Sequence, residues 1–177
     1  MDRRLIIMGL AGAVAAGSAR AQTSAPAAST AAPAAGMGQA EMDHAMKTAM
    51  AGMAALAMAD VGLERAQNAK VKEFAKFEHD EQTTIAEILK SMDPSMSPPK
   101  PDAATAQAIE KLKGMKAGAE FDRAFVQGQT DGHEKLLAIQ EDYLKAGRNR
   151  EHVSMAKLAR GMIKEHFTLL GDLKKMS

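Results

Sequence analysis

The sequence has no cysteine, no tryptophan, one tyrosine and five phenylalanines. Without cysteine there is no disulfide framework, no thiolate metal site and no cysteine nucleophile, so any metal must take carboxylate, imidazole or thioether ligands. Aromatics make up only 3% of the residues. Strand-favouring residues are scarce while Ala, Met, Leu, Lys, Glu and Gln abound, a composition that favours helix over sheet. Charge of one sign is missing too: 23 basic residues stand against 22 acidic ones, a net charge of +1 that gives no footprint for nucleic acid. A chain of 177 residues limits the fold to one modest core.

Residues 1–21 have the design of a cleaved secretory signal. Arg3 and Arg4 charge the start, Leu5 to Ala16 is apolar, and Ala19-Arg20-Ala21 supplies a small-x-small ending. The apolar run is too short and too rich in Gly and Ala for a spanning helix of about 20 residues. Cleavage after Ala21 leaves 20 basic and 21 acidic residues, so the basic excess belongs to the signal. The run Arg3-Arg4-Leu5-Ile6-Ile7 also resembles a twin-arginine signal, although Asp2 precedes the pair where Ser or Thr is usual. Both the general secretory and the twin-arginine routes stay open. A periplasmic location is expected, with outer-membrane association open and no transmembrane helix in the mature chain. Residues 22–36 hold only small residues, Pro and Gln, without charge; a disordered linker is expected over 22–40 and a folded domain over 41–177.

Periodicity in the remainder is helical. It predicts a helix from Glu41 to Gln67, a tight turn at Asn68, and a second helix from Ala69 to Met92. The stretch Ser91 to Asp102 carries four of the six prolines and breaks the pattern. A short helix opens behind the N-cap Asp102 and closes at Gly114; further helices run from Ala119 to Ala146 and, behind Asn149, from Arg150 to Met176. The fold class expected is all-α, an antiparallel four-helix bundle with a short extra helix in the second connection.

One helix has an unusual seam. Steps of three and four from Val71 reach Phe74, Glu78, Glu81, Ile85, Ile88 and Met92, a stripe that is apolar at both ends and acidic in the middle. An ionised carboxylate taken out of water costs several kcal/mol unless a cation or donors compensate it. No Lys or Arg lies on the stripe. The last helix has its own line, His152, Met155, Ala159, Met162, His166, Leu169, Leu173 and Met176, with His166 inside the apolar run. His133 aligns with Val126, Gln129, Leu136 and Gln140 on a half-polar face. Counted from the turns at 1.5 Å per residue, Asp60, Glu78, Glu81, His133 and His166 fall in the middle third of the bundle. These five are the expected metal ligands.

Carboxylates and imidazoles converging inside four helices are the ligand set of di-iron and di-manganese proteins. The Glu-x-x-His motif of those sites is absent here: Glu81 stands three residues after Glu78, and Ile163 three before His166. A metal-free polar layer, with Glu78 and Glu81 bonded to His166, Gln82, Gln129 or Gln140, is the competing reading. A third concerns copper: Met42, Met46, Met50 and Met53 form one helix face with Met37 and His44 beside them, and thioether plus imidazole suits Cu(I). The same face also fits simple core packing. His79 and His152 are expected in solvent, and His44 near a fraying helix end.

The segments KVKEFAKFEHDEQTTIAEIL, GAEFDRAFVQGQTDGHEKLL and KLARGMIKEHFTLL occur in order between residues 48 and 175. Together they resemble an exported bacterial ferritin-like family of unknown function, often labelled predicted outer membrane protein. The resemblance implies a ferritin-like four-helix bundle with a cleaved signal, and inward roles for His133 and His166. This chain departs from the family at Glu81-Gln82, where many members carry Asp-His. The resemblance names no substrate or reaction. Iron or manganese is expected ahead of copper, and any enzymatic activity would be peroxide or oxygen reduction by a metal-dependent oxidoreductase. The alternative is a non-catalytic structural or stress-response protein.

Overall fold

Local cap chemistry sets the helix boundaries. In the computed structural model, which describes residues 37–97 and 100–176, the order is α1 (Gln39–Arg65), α2 (Ala69–Met92), α3 (Ala103–Gly114), α4 (Ala119–Ala146) and α5 (Arg150–Met176). The fold is all-helical, with no strand among the described residues. The expected signal at 1–21 and residues 22–36 of the linker expected over 22–40 lie outside the described residues, while Gln39 and Ala40 belong to α1. Asn68 caps α2 by accepting from the Lys70 N–H at 2.9 Å, and Asp102 caps α3 by accepting from Thr105 N–H at 2.9 Å. Asn149 accepts from Glu151 and His152 at the start of α5. Gly118 enters α4 with φ 146°, a backbone angle that favours glycine.

The first helix starts two residues earlier than periodicity predicts and stops two sooner. The buried Asp122 of α4 is the reason: its carboxylate accepts from the Gln67 N–H at 3.1 Å and the Asn68 N–H at 2.9 Å, holding both outside the helical ladder. Asp122 lies about 54 residues further along the chain, so the local pattern does not contain this stop.

The long helices make a closed circuit of contacts: α1 packs on α2 and α4, and α5 packs on α4 and α2. The short α3 rests on α1 and α4. Two apolar clusters result. One joins Val71, Phe74, Phe121, Phe125, Leu170 and Leu173; the other joins Ala45, Ala49, Ile85, Leu89 and Met155. Gly62 allows α1 to approach closely, because a Cβ there would collide with the Phe125 ring and come within 3.0 Å of the Ala75 Cβ.

The buried seams are rotated slightly from those expected. On α2 the inward residues are Val71, Phe74, Ala75, Glu78, Gln82, Ile85 and Leu89; on α5, Ile163 and Leu170 face inward while Leu169 and Met176 are exposed. Along α2, therefore, polar Glu78 and Gln82 separate the two apolar clusters. No helix among the described residues is long and apolar enough to cross a membrane.

Candidate metal centre

Helix α2 places Glu78 against His133 of α4 and His166 of α5. Glu78 and His133 are fully buried and His166 nearly so. The Glu78 Oε2 lies 3.2 Å from His166 Nδ1 and 3.3 Å from His133 Nε2, and the two ring nitrogens are 2.9 Å apart. No backbone, amide or hydroxyl group donates to either oxygen of Glu78, whose polar contacts are the two imidazoles. Ligand atoms from the three residues all lie within 4.8 Å of one another. The Phe74 ring flanks both imidazoles, with centroids 5.2 Å from His166 and 6.1 Å from His133, and Phe167 stands 6.3 Å from His133. That shell is dry.

The proton positions follow from the partners. His133 Nδ1 is 2.7 Å from the Gln129 carbonyl oxygen, which only accepts, so Nδ1 carries the hydrogen and Nε2 turns a lone pair toward Glu78. His166 Nε2 faces the Glu81 carboxylate at 3.3 Å, which favours the proton on that nitrogen and leaves Nδ1 as a second lone pair. Two imidazole lone pairs and a buried carboxylate oxygen then point into one space. With that tautomer a positive centre satisfies all three, either a second proton on His166 or a metal cation; a neutral His166 with its hydrogen on Nδ1 and a protonated Glu81 behind it satisfies them as well. Imidazoles backed by a carbonyl and a carboxylate are the usual outer arrangement of metal-ligating histidines.

Without metal, the proton does this work. Burial pushes the Glu78 carboxyl up, but the two imidazoles outweigh it and hold the group down at about 2. Burial pushes His166 down, while Glu78 and the charges of Glu81 and Glu165 more than offset it, so its net shift is upward. Burial raises Glu81, with repulsion from Glu78 adding to it and His166 opposing. A raised histidine stabilises the folded chain at pH below its ordinary 6.5 and loses that contribution as pH rises through the folded value. The lowered Glu78 contributes above its ordinary 4.5 and loses its contribution as pH falls toward about 2. The metal-free chain is therefore expected to lose thermal stability as pH climbs past the histidine range, and His166→Gln to flatten that limb; a Tm series between pH 5 and about pH 9 checks it. A limb that is unchanged in the variant would show that the loss comes from elsewhere.

Of the five expected ligands, the structure brings three together. Glu81 comes close but stands behind His166, on the ring nitrogen away from Glu78, where it orients the imidazole. Asp60 is not at the site. Its side chain is 57% exposed and pairs with His79 at 2.8 Å on the outer surface. Counting along the axis sets its height but not its rotation, and the inward positions of α1 there are Ala55, Ala59 and Gly62. His79, expected in solvent, is half-buried and paired with Asp60. A groove of about 510 Å³ between α2 and α5, walled by Glu81, Ile85, Ile88, Met155, Leu158 and Met162, brings solvent to the carboxylate behind His166.

A family model matches residues 25–173. The chain belongs to the DUF4142 family, a domain of unknown function. The DUF4142 match takes in α1 to α4 whole and α5 as far as Leu173, and so includes Glu78, His133 and His166. No curated protein and no solved structure matches the chain.

Within the DUF4142 domain, two further histidines overturn the sequence expectation. His152 is 1% exposed and His44 3%, so neither is in solvent or at a frayed end. Tyr143 stacks on His44 at 4.0 Å and its hydroxyl donates to Glu41, which also accepts from the backbone of Arg148 and Asn149. These contacts join residues about 100 positions apart and tie down the start of α1. The usable signal was the position of His152 on the same stripe as Met155 and His166. The methionine row of α1 does not converge: Met42 and Met46 are exposed, while Met50 and Met53 line two separate cavities of about 280 Å³ each.

Proposed function

We propose that this chain is an exported, periplasmic, ferritin-like four-helix bundle protein in which Glu78, His133 and His166 bind one divalent transition-metal ion, iron or manganese ahead of zinc. The observation that carries the reading is the fully buried Glu78 carboxylate, with two imidazoles as its polar contacts and ligand atoms of all three residues within 4.8 Å of one another. The closed circuit of long helices and the three resembling segments support the ferritin-like bundle; the charged, apolar and small-residue pattern of residues 1–21 supports export. Two imidazoles and one carboxylate suit a single ion with open positions, the ligand class of non-haem iron and of catalytic zinc sites. The set is too small for the four carboxylates and two histidines of a dinuclear centre. Glu81 would position His166, and the groove at its back would supply access.

A metal-free polar layer is the second reading, favoured by the upward shift of His166, which lets a proton occupy the same space. Anaerobic titration with Fe(II), Mn(II) and Zn(II) separates the two. The expected result is one ion per chain, abolished in Glu78→Gln, weakened about 10–100-fold in Glu81→Gln and unchanged in Asp60→Asn. Absence of saturable binding, or full binding by folded Glu78→Gln, would leave the polar layer as the correct reading.

A further inference from the structure

The circuit of long helices has two opposite seams that are closed differently. Over the α1–α4 seam lies α3, whose Ile109 and Leu112 are buried. No other described helix packs over the α2–α5 seam. Seven large apolar side chains are exposed among the described residues, and five of them, Phe77, Ile88, Leu158, Leu169 and Met176, line the two grooves of that seam. Leu158 is 69% exposed and Phe77 52%. Single exposed apolar residues are ordinary on a surface, but a contiguous run of them marks a binding face.

The face has the size of a dimer interface. Its helices run antiparallel, since Met92 and Glu151 line one groove while Lys70 and Met176 line the other. From Glu151 to Met176 it is roughly 37 Å long, and two helices side by side are about 20 Å wide. That gives about 700 Å² per copy, inside the range of about 600–1,000 Å² per partner that stable complexes bury. Glu73, Asp80 and Asp172 at its edges each hold a lysine of their own chain, which limits repulsion between two such faces.

Relief along the face selects a second copy as the occupant. The groove of about 510 Å³ lies on one side of Glu81 and Met162, bounded by Ile85 and Ile88, four and seven residues beyond Glu81, and by Leu158, four before Met162. On the other side the groove holds only about 150 Å³, and Phe77 and Leu169, four residues before Glu81 and seven after Met162, stand exposed along it. Hollow and projection thus lie about 6–10 Å either side of one level. A two-fold axis in the face, crossing the helices at that level, carries Phe77 and Leu169 of each copy into the large groove of the other. An isologous interface of this kind uses one patch twice. We propose that the chain forms a two-fold dimer through the α2–α5 face, with Phe77 and Leu169 of one copy seated in the groove of the second. The dimer does not depend on metal at Glu78. It covers the groove behind His166, so on the reading given above metal enters the monomer and is held in the dimer.

Light scattering and sedimentation equilibrium of the mature exported chain, kept metal-free with a chelator, test the dimer separately from the metal reading. Twice the chain mass is expected, with a Kd in the micromolar range or tighter. Phe77→Glu and Leu158→Lys should each weaken the dimer about 30-fold or more with helix content unchanged, while Met42→Lys/Met46→Lys leaves it intact. Mixing the two single variants should restore a dimer, because one Phe77–Leu158 contact is then native and the other joins introduced charges of opposite sign. A parent still monomeric at about 0.5 mM overturns the proposal and leaves the face to a different occupant. A dimer that both single variants leave intact, or that their mixture fails to restore, overturns it as well.

Discussion

Loading the chain with Fe(II) or Mn(II) at about 100 times Kd is expected to raise its Tm by roughly 5–10 °C, and Glu78→Gln is expected to erase the rise. Binding to the folded state alone adds about 2.7 kcal/mol at that concentration, and a domain near 150 residues gains about 2–4 °C per kcal/mol. The unfolded chain offers no comparable site, since Glu78, His133 and His166 come from three helices. Variant behaviour without metal sharpens the result. Glu78→Gln removes one partner of the buried Glu78–His166 pair, so the metal-free variant is expected to be less stable than the metal-free parent. A Glu78→Gln chain that still folds, melts lower than the metal-free parent and is insensitive to added metal is the expected set of observations in thermal scans. A Tm rise of the same size in the variant would place the metal elsewhere.

Phe125→Ala is expected to cost about 3–5 kcal/mol, the range for deleting a large buried aromatic, and to lower Tm by roughly 10–15 °C. The sequence has few aromatics to spare. Phe125 is fully buried, 6.4 Å from the Phe121 ring and 6.5 Å from that of Phe74. It also fills the space that Gly62 leaves open on α1, so its loss opens a cavity shared by α1, α2 and α4. Phe74 links this cluster to the Glu78 site through its contacts with His166 and His133. Calorimetry on the metal-free chain checks the size of the effect; a loss below about 1 kcal/mol would mean that the cluster repacks around the gap.

Much of the fold was legible because its punctuation is local. Asn68, Asp102 and Asn149 cap helices with their own side chains, and the proline-rich stretch after Met92 stops α2 without help from distant residues. Glu78 was legible for a related reason: a carboxylate between Phe74 and Ile85 on one stripe is conspicuous in any amphipathic pattern. Rotation about each helix axis was not. It decides whether Glu81 or Gln82 faces inward, and it turns Asp60 to the surface; both depend on how α2 settles against α1 and α5. The burial of His44 and His152 was hidden for another reason. Helix starts are expected to fray, and only contacts across about 100 residues, from Tyr143, Gln140 and Glu41, show that these do not.

The central claim is that Glu78, His133 and His166 hold a metal ion, and anomalous diffraction at the iron and manganese edges tests it most directly. Crystals of chain isolated from its native cell, or loaded anaerobically, are predicted to show one peak per chain bounded by Glu78 Oε2, His133 Nε2 and His166 Nδ1. A well-ordered triad with no peak between its three ligand atoms after loading would contradict it.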